Sequence, residues 1–227
     1  MSFGLSRGRA LDPSGHGIEA GDLPPWNGAI LDPRKLFAAE NRPFELEIGS
    51  GKGTFLMQQA AAQTGTNFLG IEWSREFYRY AADRARRSRL GNVMLLHDDG
   101  SEFLRFKCAT GLVDVLHLYF TDPWPKKRHH KRRLVQDDTM GAMHRVLKPG
   151  GCVHLVTDHD ELWAWYRDHA ARHTHLFEQQ PFRPPSSAGS GEVVGTNFER
   201  KYRREGRPFH AMTLIRTSEQ EPRPDAS

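Results

Sequence analysis

Short apolar runs alternate with amphipathic stretches along most of this chain, and that alternation limits the folds open to it. The runs are almost continuously apolar, as is typical of strands that are buried on both faces. Strands of this kind that are joined through helices form a parallel sheet covered by helices on both sides. The sequence therefore predicts an α/β protein with a doubly wound, mostly parallel sheet, whose strands are residues 44–48, 67–72, 93–96, 112–120, 152–157 and 211–215.

Three of the intervening segments repeat apolar residues at helical spacing. Residues 77–85 have such a face, and Ser74 stands where an N-cap is expected. A second face spans residues 135–147, and the sequence Lys-Pro-Gly-Gly at 148–151 is expected to stop that helix because proline cannot continue it. A third helical stretch follows Asp158. Helices of this number and placement agree with a layered α/β domain.

The 227 residues suit one domain with extensions. Residues 1–42 are rich in glycine and proline and have little periodicity, which predicts a loosely structured arm. Residues 43–216 are predicted to form the domain, with a flexible loop at 183–191. The polar residues 217–227 are predicted to be a disordered tail.

Several classes of protein are disfavoured by composition. The sequence has no run of 18 apolar residues, so we expect no transmembrane helix. The first arginines are not followed by an apolar stretch, so we expect no secretory signal. Two cysteines, Cys108 and Cys152, indicate a reducing, cytoplasmic setting and no disulfide framework. His169 and His173 are four residues apart, but no cysteine or carboxylate is spaced to complete a metal site. We therefore expect a cytoplasmic protein without a membrane or metal partner.

The net charge of +4 is concentrated in one segment. Residues 126–133, called the basic run below, hold six cations, whereas the rest of the chain has 26 basic and 28 acidic residues. Such a run creates a local positive field that attracts phosphates, although a solvated charged face is the alternative. A second basic cluster follows at 200–204. The pattern indicates a nucleic-acid partner.

A glycine-rich turn follows the first predicted strand. Gly49, Gly51 and Gly53 precede a helix, where glycines permit a tight turn and let a ligand approach the backbone. The third glycine falls one residue early for the dinucleotide pattern G-x-G-x-x-G. A cofactor without a pyrophosphate therefore fits this loop better than a dinucleotide.

Acidic residues follow the other predicted strands, at Glu72, at Asp98 and Asp99, at Asp122 and at Asp158. Ligands of open α/β sheets bind beyond the carboxyl ends of the strands, and an acidic residue after the second strand can hold a ribose. Asp99 and Asp158 have the alternative role of capping the helices that follow. Together the carboxylates suit a ligand with ribose hydroxyls, an amino group and a positive centre, and S-adenosylmethionine (SAM) has all three.

A stiff turn separates the fourth strand from the basic run. Pro123 and Pro125 fix the backbone there, so that Asp122 and Trp124 project from the strand end. Trp124 offers a flat surface on which a base can stack, or it packs into the core.

These segments together resemble the bacterial tRNA (guanine-N7)-methyltransferase family over about residues 44–215. The matching segments are Leu46-Glu47-Ile48-Gly49-Ser50-Gly51-Lys52-Gly53, Gly70-Ile71-Glu72, Asp122-Pro123-Trp124-Pro125 with the basic run, Leu147-Lys148-Pro149-Gly150-Gly151 and Thr196-Asn197-Phe198-Glu199. The Asp-Pro-Trp-Pro segment with its basic run and the Thr-x-Phe-Glu segment are the most specific. One departure is Thr121, where the family usually has proline.

The resemblance implies a seven-stranded sheet of the SAM-dependent methyltransferase type, and methylation of guanine N7 in the tRNA variable loop. It implies that Asp122 is catalytic and that SAM is bound by Glu47, Gly49, Gly51, Gly53, Glu72, Asp99 and Asp122. Asp99 is preferred to Asp98 because it precedes a glutamate by three residues, as in the family. The implied substrate contacts are Lys126, Asp158, Thr196, Asn197, Phe198 and Glu199, and the implied RNA contacts are Arg128, His129, His130, Lys131, Arg132 and Arg133.

Three other functions compete with this interpretation. A non-catalytic RNA-binding protein needs the basic segments but not the acidic crevice. An NAD-dependent oxidoreductase shares the sheet and Glu72 but not the glycine spacing, and a small-molecule methyltransferase has no use for the basic run. We expect a monomer or a homodimer.

Overall fold

An eight-stranded sheet organises the protein in the computed structural model, which describes residues 10–23 and 30–217. The strand order is β1-β4-β3-β2-β5-β6-β8-β7, and β8 alone runs antiparallel to its neighbours. The strands are β1 (Gly17–Glu19), β2 (Phe44–Ile48), β3 (Asn67–Glu72), β4 (Val93–His97), β5 (Val113–Tyr119), β6 (Leu147–Thr157), β7 (Phe177–Gln180) and β8 (His210–Arg216). The predicted doubly wound, mostly parallel α/β sheet is confirmed.

Helices connect the parallel strands and cover both faces of the sheet. They are α1 (Thr54–Ala62), α2 (Arg75–Ser88), α3 (Gly100–Glu102), α4 (Asp137–Val146), α5 (Asp160–Arg172) and α6 (Asn197–Arg204). A π-helical turn, Phe103–Lys107, continues α3, and short 3₁₀ turns occupy Ala20–Asp22, Pro33–Leu36 and Lys127–Arg132. Among the described residues, no helix combines the length and apolar character needed to cross a membrane.

The strand count differs from the expected seven because the N-terminal segment contributes β1. Residues 1–42 were predicted to be loosely structured, but β1 pairs in parallel with β4, and Gly17 lies opposite Leu95. A side chain at Gly17 would meet the Tyr78 hydroxyl at 2.7 Å, so this strand can close on the sheet only with glycine there. Three residues are too few to show a period, which explains why the sequence did not reveal β1. Apart from Thr217, the predicted tail lies outside the described residues.

The core is divided by the sheet into two layers with different chemistry. On one face the side chains of Phe44, Leu46 and Ile48 join a large apolar cluster with α4 and α5. On the other face, beneath α1 and α2, β2 presents Glu45 and Glu47. Side chains alternate between faces along a strand, so one strand supplies both the apolar core and the buried acids. The acidic layer is where the site lies.

Close packing at Gly70 gives a test of this architecture. A Cβ at Gly70 would lie 2.4 Å from Leu56 Cδ1 and 2.9 Å from Ser50 Cβ, so Gly70→Ala should overpack the layer beneath α1. We expect it to lower the free energy of unfolding by about 1–3 kcal/mol in urea titrations. Gly141→Ala is the control, because an added Cβ on α4 meets nothing within 4 Å and should stabilise the helix by roughly 0.5–1 kcal/mol. Equal effects of the two changes would contradict the packing at Gly70.

Candidate active site

The glycine loop connects β2 to α1 at the carboxyl edge of the sheet. Gly49, Gly51 and Gly53 have φ of +79°, +53° and +66°, in the left-handed region that favours glycine. The N–H groups of Gly49 and Ser50 donate to the carbonyl of Ile71 over 2.8 and 3.2 Å, which ties the loop to β3. A Cβ at Gly53 would lie 3.1 Å from Ala81, so this glycine also lets α1 approach α2.

A cavity of about 450 Å³ lies against this loop. It is enclosed by the ends of β2 and β5, the start of α1 and the first turns of α6. Its lining residues are Glu47, Gly49, Ser50, Gly51, Lys52, Thr54, Phe55, Phe77, Tyr119, Phe120, Thr196, Asn197, Phe198, Arg200, Lys201 and Arg204. The predicted Glu47, two of the loop glycines and three residues of the Thr-x-Phe-Glu segment are therefore brought together.

Glu47 is a buried carboxyl group that lines the cavity. Glu47 is only 4% exposed, and its Oε2 atom has no hydrogen-bond partner within residues 10–23 and 30–217. Burial, and secondly the charge of Glu72, raise the pKa of Glu47 well above its usual value. A buried acceptor without a donor is costly, and a cationic donor would remove that cost. Glu47 is therefore poised to bind a positive group.

Glu72 joins the glycine loop to α2. Its two carboxylate oxygens accept hydrogen bonds of 2.7 Å from the N–H groups of Gly51 and Ser74. Burial raises the pKa of Glu72, while these two N–H groups oppose the rise. Each oxygen retains a lone pair for a ligand hydroxyl. The geometry agrees with the expected ribose contact.

Glu72 and the other predicted acids lie at the same edge of the sheet, but they are not among the residues that line this cavity. Asp99 caps α3, accepting from the N–H groups of Ser101 and Glu102 over 2.8 and 3.0 Å, which was its alternative role. The Asp158 carboxylate pairs with Arg207 at 2.7 Å. Asp122 is exposed after β5, and its charge contributes, after burial, to the raised pKa of Glu72. In the described ranges Asp122 has neither an ion pair nor a hydrogen bond.

Most of the basic run faces solvent. Lys127–Arg132 form a 3₁₀ turn in which Arg128, Lys131 and Arg132 are exposed, while His129 and His130 are half-buried. The exposed Lys126 precedes that turn. These side chains leave a cationic surface open to a polyanion.

Trp124 lies at this surface and not in the core. It is half-buried, with a φ of +43°, and the Arg132 guanidinium lies 4.9 Å above its ring. The rings of Trp124 and His129 are also packed edge to face, with 5.8 Å between their centres. Of the two roles considered for Trp124, the structure agrees with a partly open aromatic surface.

Arg133 departs from the expected role in RNA binding. Its side chain is only 1% exposed, and it donates to the Pro123 carbonyl over 2.9 Å and to Glu161 over 2.7 Å. Its guanidinium also lies 4.8 Å from the Trp165 ring centre. Arg133 therefore holds the turn in place from within, because the chain direction at the end of the run points this side chain inward. Counting charges in the sequence could not show that direction.

The Thr-x-Phe-Glu segment is divided between bracing the fold and lining the cavity. Glu199 is fully buried and accepts hydrogen bonds from the N–H groups of residues 193–195 and from Arg203, and Thr196 caps α6. The Glu199 carboxylate is occupied by these donors and holds the loop before α6. Asn197 instead donates to Thr54 over 2.9 Å, and Phe198 is 41% exposed opposite Gly51. These latter two residues are available to a ligand.

Several lining residues were not predicted. Phe55, Phe77 and Tyr119 are brought to the cavity by tertiary packing, which no local pattern reveals. Lys52 also lines the cavity, and its ammonium nitrogen lies 6.0 Å from the Phe77 ring centre. The cations of α6 could have been found from the sequence, because the second basic cluster directly follows the Thr-x-Phe-Glu segment. No group of three or more potential metal ligands occurs in the described part of the chain.

The residues around the cavity fit SAM. The unpartnered Glu47 oxygen suits a positive group, Glu72 suits a ribose, and the loop glycines leave room for close approach to the backbone. A mostly parallel sheet with this loop and these carboxylates defines a SAM-dependent methyltransferase.

Comparison with known proteins identifies the family. A family model described as a putative methyltransferase matches residues 41–212. The tRNA (guanine-N(7)-)-methyltransferase of Agrobacterium fabrum is 34% identical over 199 residues, covering 88% of this chain and 83% of that protein. The protein of the same name from Nitrobacter hamburgensis is 33% identical over 224 residues, covering 96% and 87%. This chain belongs to the tRNA (guanine-N7)-methyltransferase family.

Solved structures support the fold. The 16S rRNA methyltransferase KamB superposes with a TM-score of 0.56 at 15% identity, covering 77% of this chain and 87% of that one. A variant of the 16S rRNA (adenine(1408)-N(1))-methyltransferase from Catenulisporales acidiphilia gives 0.54 at 13% identity, covering 80% and 88%. At such identities the likeness concerns the fold alone.

The buried carboxyl of Glu47 predicts a pH-dependent cost to stability. An unfolded glutamate ionises near pH 4.3, whereas the pKa of Glu47 is raised in the folded protein, so its cost appears as the pH rises above that value. We expect Glu47→Gln to raise the free energy of unfolding of the ligand-free protein at pH 7.5. The gain should be much smaller at pH 4, where Glu47 is protonated in the folded state and mostly protonated in the unfolded state. Urea unfolding at the two pH values measures it, and an equal gain at both would contradict a raised pKa.

Proposed function

We propose that this protein transfers the methyl group of SAM to N7 of a guanine in tRNA, and that this guanine lies in the variable loop. The main support for this proposal is that the basic run begins next to the cavity, at the end of β5. There the Asp122 turn and the basic run leave the sheet next to the cavity that contains Glu47. Relatives that bear the name tRNA (guanine-N(7)-)-methyltransferase match most of the chain. An RNA-binding surface beside a cofactor cavity suits an enzyme better than a passive RNA binder.

The residues that would hold SAM are Glu47, Glu72 and the glycine loop. When bound, SAM supplies a methyl group activated by a positively charged sulfur. Glu72 fixes the loop through Gly51 N–H, so the binding surface is rigid before the ligand arrives. Phe55 and Phe77 provide the apolar walls that exclude water. A preorganised, partly dry site favours a reaction in which charge moves from sulfur to the base.

Guanine N7 has a lone pair and no hydrogen, so the protein has no proton to remove before the carbon–nitrogen bond forms. Its work is to align the base and to stabilise the positive charge that the guanine gains. The Asp122 carboxylate suits both tasks, because it is exposed at the end of β5 and can accept hydrogen bonds from the N–H groups of guanine. Trp124, two residues later, offers an aromatic surface next to that carboxylate.

Methyl transfer is tested by incubating the protein with SAM and an unmodified tRNA transcript, followed by reductive strand cleavage at N7-methylguanine. We expect cleavage in the variable loop. Asp122→Ala should lower turnover by about 100-fold or more, as loss of a charge-stabilising group does, while S-adenosylhomocysteine still binds.

Asp168→Ala is the matched control, because Asp168 is exposed on α5 and pairs with Arg172 away from the cavity. Full turnover by Asp122→Ala would refute the catalytic role. Cleavage at a guanine outside the variable loop would refute the proposed position, and no cleavage with the wild type would refute N7 methylation.

Neighbouring arginines of the basic run should have opposite phenotypes. Arg132→Ala removes an exposed cation, so the slope of log affinity for tRNA against log salt should fall by about one, with stability changed by less than about 0.5 kcal/mol. Arg133→Ala removes a buried guanidinium and leaves the Pro123 carbonyl without its donor, which should cost roughly 1–3 kcal/mol of stability. Filter binding and urea unfolding measure the two effects. The reverse pattern would contradict the side-chain directions described here.

A further inference from the structure

Three buried polar side chains form a hydrogen-bonded chain beneath α1. His117 Nε2 lies 2.8 Å from Glu45 Oε2, and His117 Nδ1 lies 2.7 Å from the Tyr119 hydroxyl. All three residues are buried. The methyl transfer described above uses no proton relay, so it gives this chain of residues no role. A buried polar network that reaches a cavity calls for an explanation.

The sheet register aims this network at the cofactor cavity. Tyr119 and His117 are two residues apart on β5, and His117 lies opposite Glu47 on the neighbouring β2. Phe55 of α1 covers the network, with ring centres 4.7 Å from His117 and 4.9 Å from Tyr119. The network ends at Tyr119, which lines the cavity together with Glu47. The charge of Glu47 contributes, after burial, to raising the pKa of Tyr119.

The partners determine which way the Tyr119 hydrogen points. The Glu45 carboxylate accepts a hydrogen bond, so the hydrogen of an uncharged imidazole is assigned to Nε2 of His117. Nδ1 then has only a lone pair, and the Tyr119 hydroxyl must donate to it. The phenolic oxygen is left with lone pairs alone for the cavity. Once Glu47 is ionised, the wall formed by Tyr119 and Glu47 presents two acceptors and no donor from these two side chains.

We propose that the Tyr119 oxygen binds the α-ammonium group of the cofactor's amino-acid part beside Glu47, and that Glu45 and His117 act as positioning residues for that oxygen. This inference rests on the proposed function. An ammonium group supplies hydrogens to both acceptors and the positive charge that the unpartnered Glu47 oxygen lacks. The sheet order supports the assignment, because β3 with the ribose-binding Glu72 and β5 with Tyr119 lie on opposite sides of β2. The ribose and amino-acid ends of one ligand would then occupy opposite sides of the loop.

Two ligands that differ only in the amino-acid part test the role of Tyr119. S-adenosylhomocysteine contains the ammonium group, and 5′-methylthioadenosine lacks the whole amino-acid part. Isothermal titration of Tyr119→Phe should show affinity for S-adenosylhomocysteine lowered by about 10- to 100-fold, as for loss of a hydrogen bond to a charged group. Affinity for 5′-methylthioadenosine should change less than about two-fold.

Tyr166→Phe is the matched control, because Tyr166 is equally buried and its hydroxyl is hydrogen-bonded to Thr121 outside the cavity lining. It should leave both affinities unchanged. Unchanged or increased binding of S-adenosylhomocysteine by Tyr119→Phe would overturn the inference, and an increase would mean that the phenol hydrogen points into the cavity.

Glu45→Gln tests the positioning role. The amide can either accept from Nε2 or donate to it, so the ring hydrogen is no longer held on Nε2, and the Tyr119 hydrogen becomes free to turn toward the ammonium group. Binding of S-adenosylhomocysteine should weaken selectively, with no further loss when Tyr119→Phe is added. Equal weakening of both ligands would indicate a merely structural role and overturn the positioning claim. If the wild type binds neither ligand, the proposed function itself fails, which is a different outcome from normal binding by both variants.

Discussion

The central strand β2 presents apolar side chains to one face of the sheet and carboxyl groups to the other, and the site follows from that division. Phe44, Leu46 and Ile48 anchor the strand in the main core. Burial of such side chains contributes about 1.5–3 kcal/mol each, which offsets part of the cost of burying Glu45 and Glu47 nearby. Glu45 accepts a hydrogen bond from His117, whereas Glu47 is left with an unpartnered oxygen. The strand thus keeps one acid for structure and one for a ligand.

The order of strands arranges the remaining chemistry around β2. Strands β3 and β5 flank β2 and run parallel to it. Their carboxyl ends therefore place Glu72 on one side of the glycine loop and Asp122 on the other side. The basic run then leaves β5 directly, so that a bound polyanion is brought to the edge where the cofactor would lie. Charge is separated by direction: exposed cations face solvent, while Arg133 turns inward and fixes the turn that carries them. The exposed cations of the basic run therefore remain available to a polyanion beside the cavity that contains Glu47.

Much of the fold could be predicted from the sequence because its strands are buried on both faces. Strands β2 and β3 have the predicted bounds, since a glycine directly follows β2 and polar residues stand at both ends of β3. The edge strands β1 and β7 were missed, because three residues are too few for a pattern and Phe-Glu-Gln-Gln is polar enough to resemble a loop. In the site, residue types at strand ends indicated the crevice, but local sequence could not show that Glu199 is saturated by three backbone N–H groups. Partners that are set by tertiary packing lie beyond any local pattern.

The N-terminal segment shows how such tertiary partners extend the site beyond its motifs. Glu19 of β1 lies 2.6 Å from His97 Nδ1, and His97 Nε2 lies 3.0 Å from the carbonyl of Trp73. Trp73 directly follows Glu72, so the imidazole joins the first strand to the segment that holds the expected ribose contact. The His97 ring also stacks on Tyr78 of α2, with 5.3 Å between centres. The segment that contains β1, which lies outside the family resemblance, therefore stabilises the edge of the cofactor site. A parallel sheet places the carboxyl end of every added strand at that same edge.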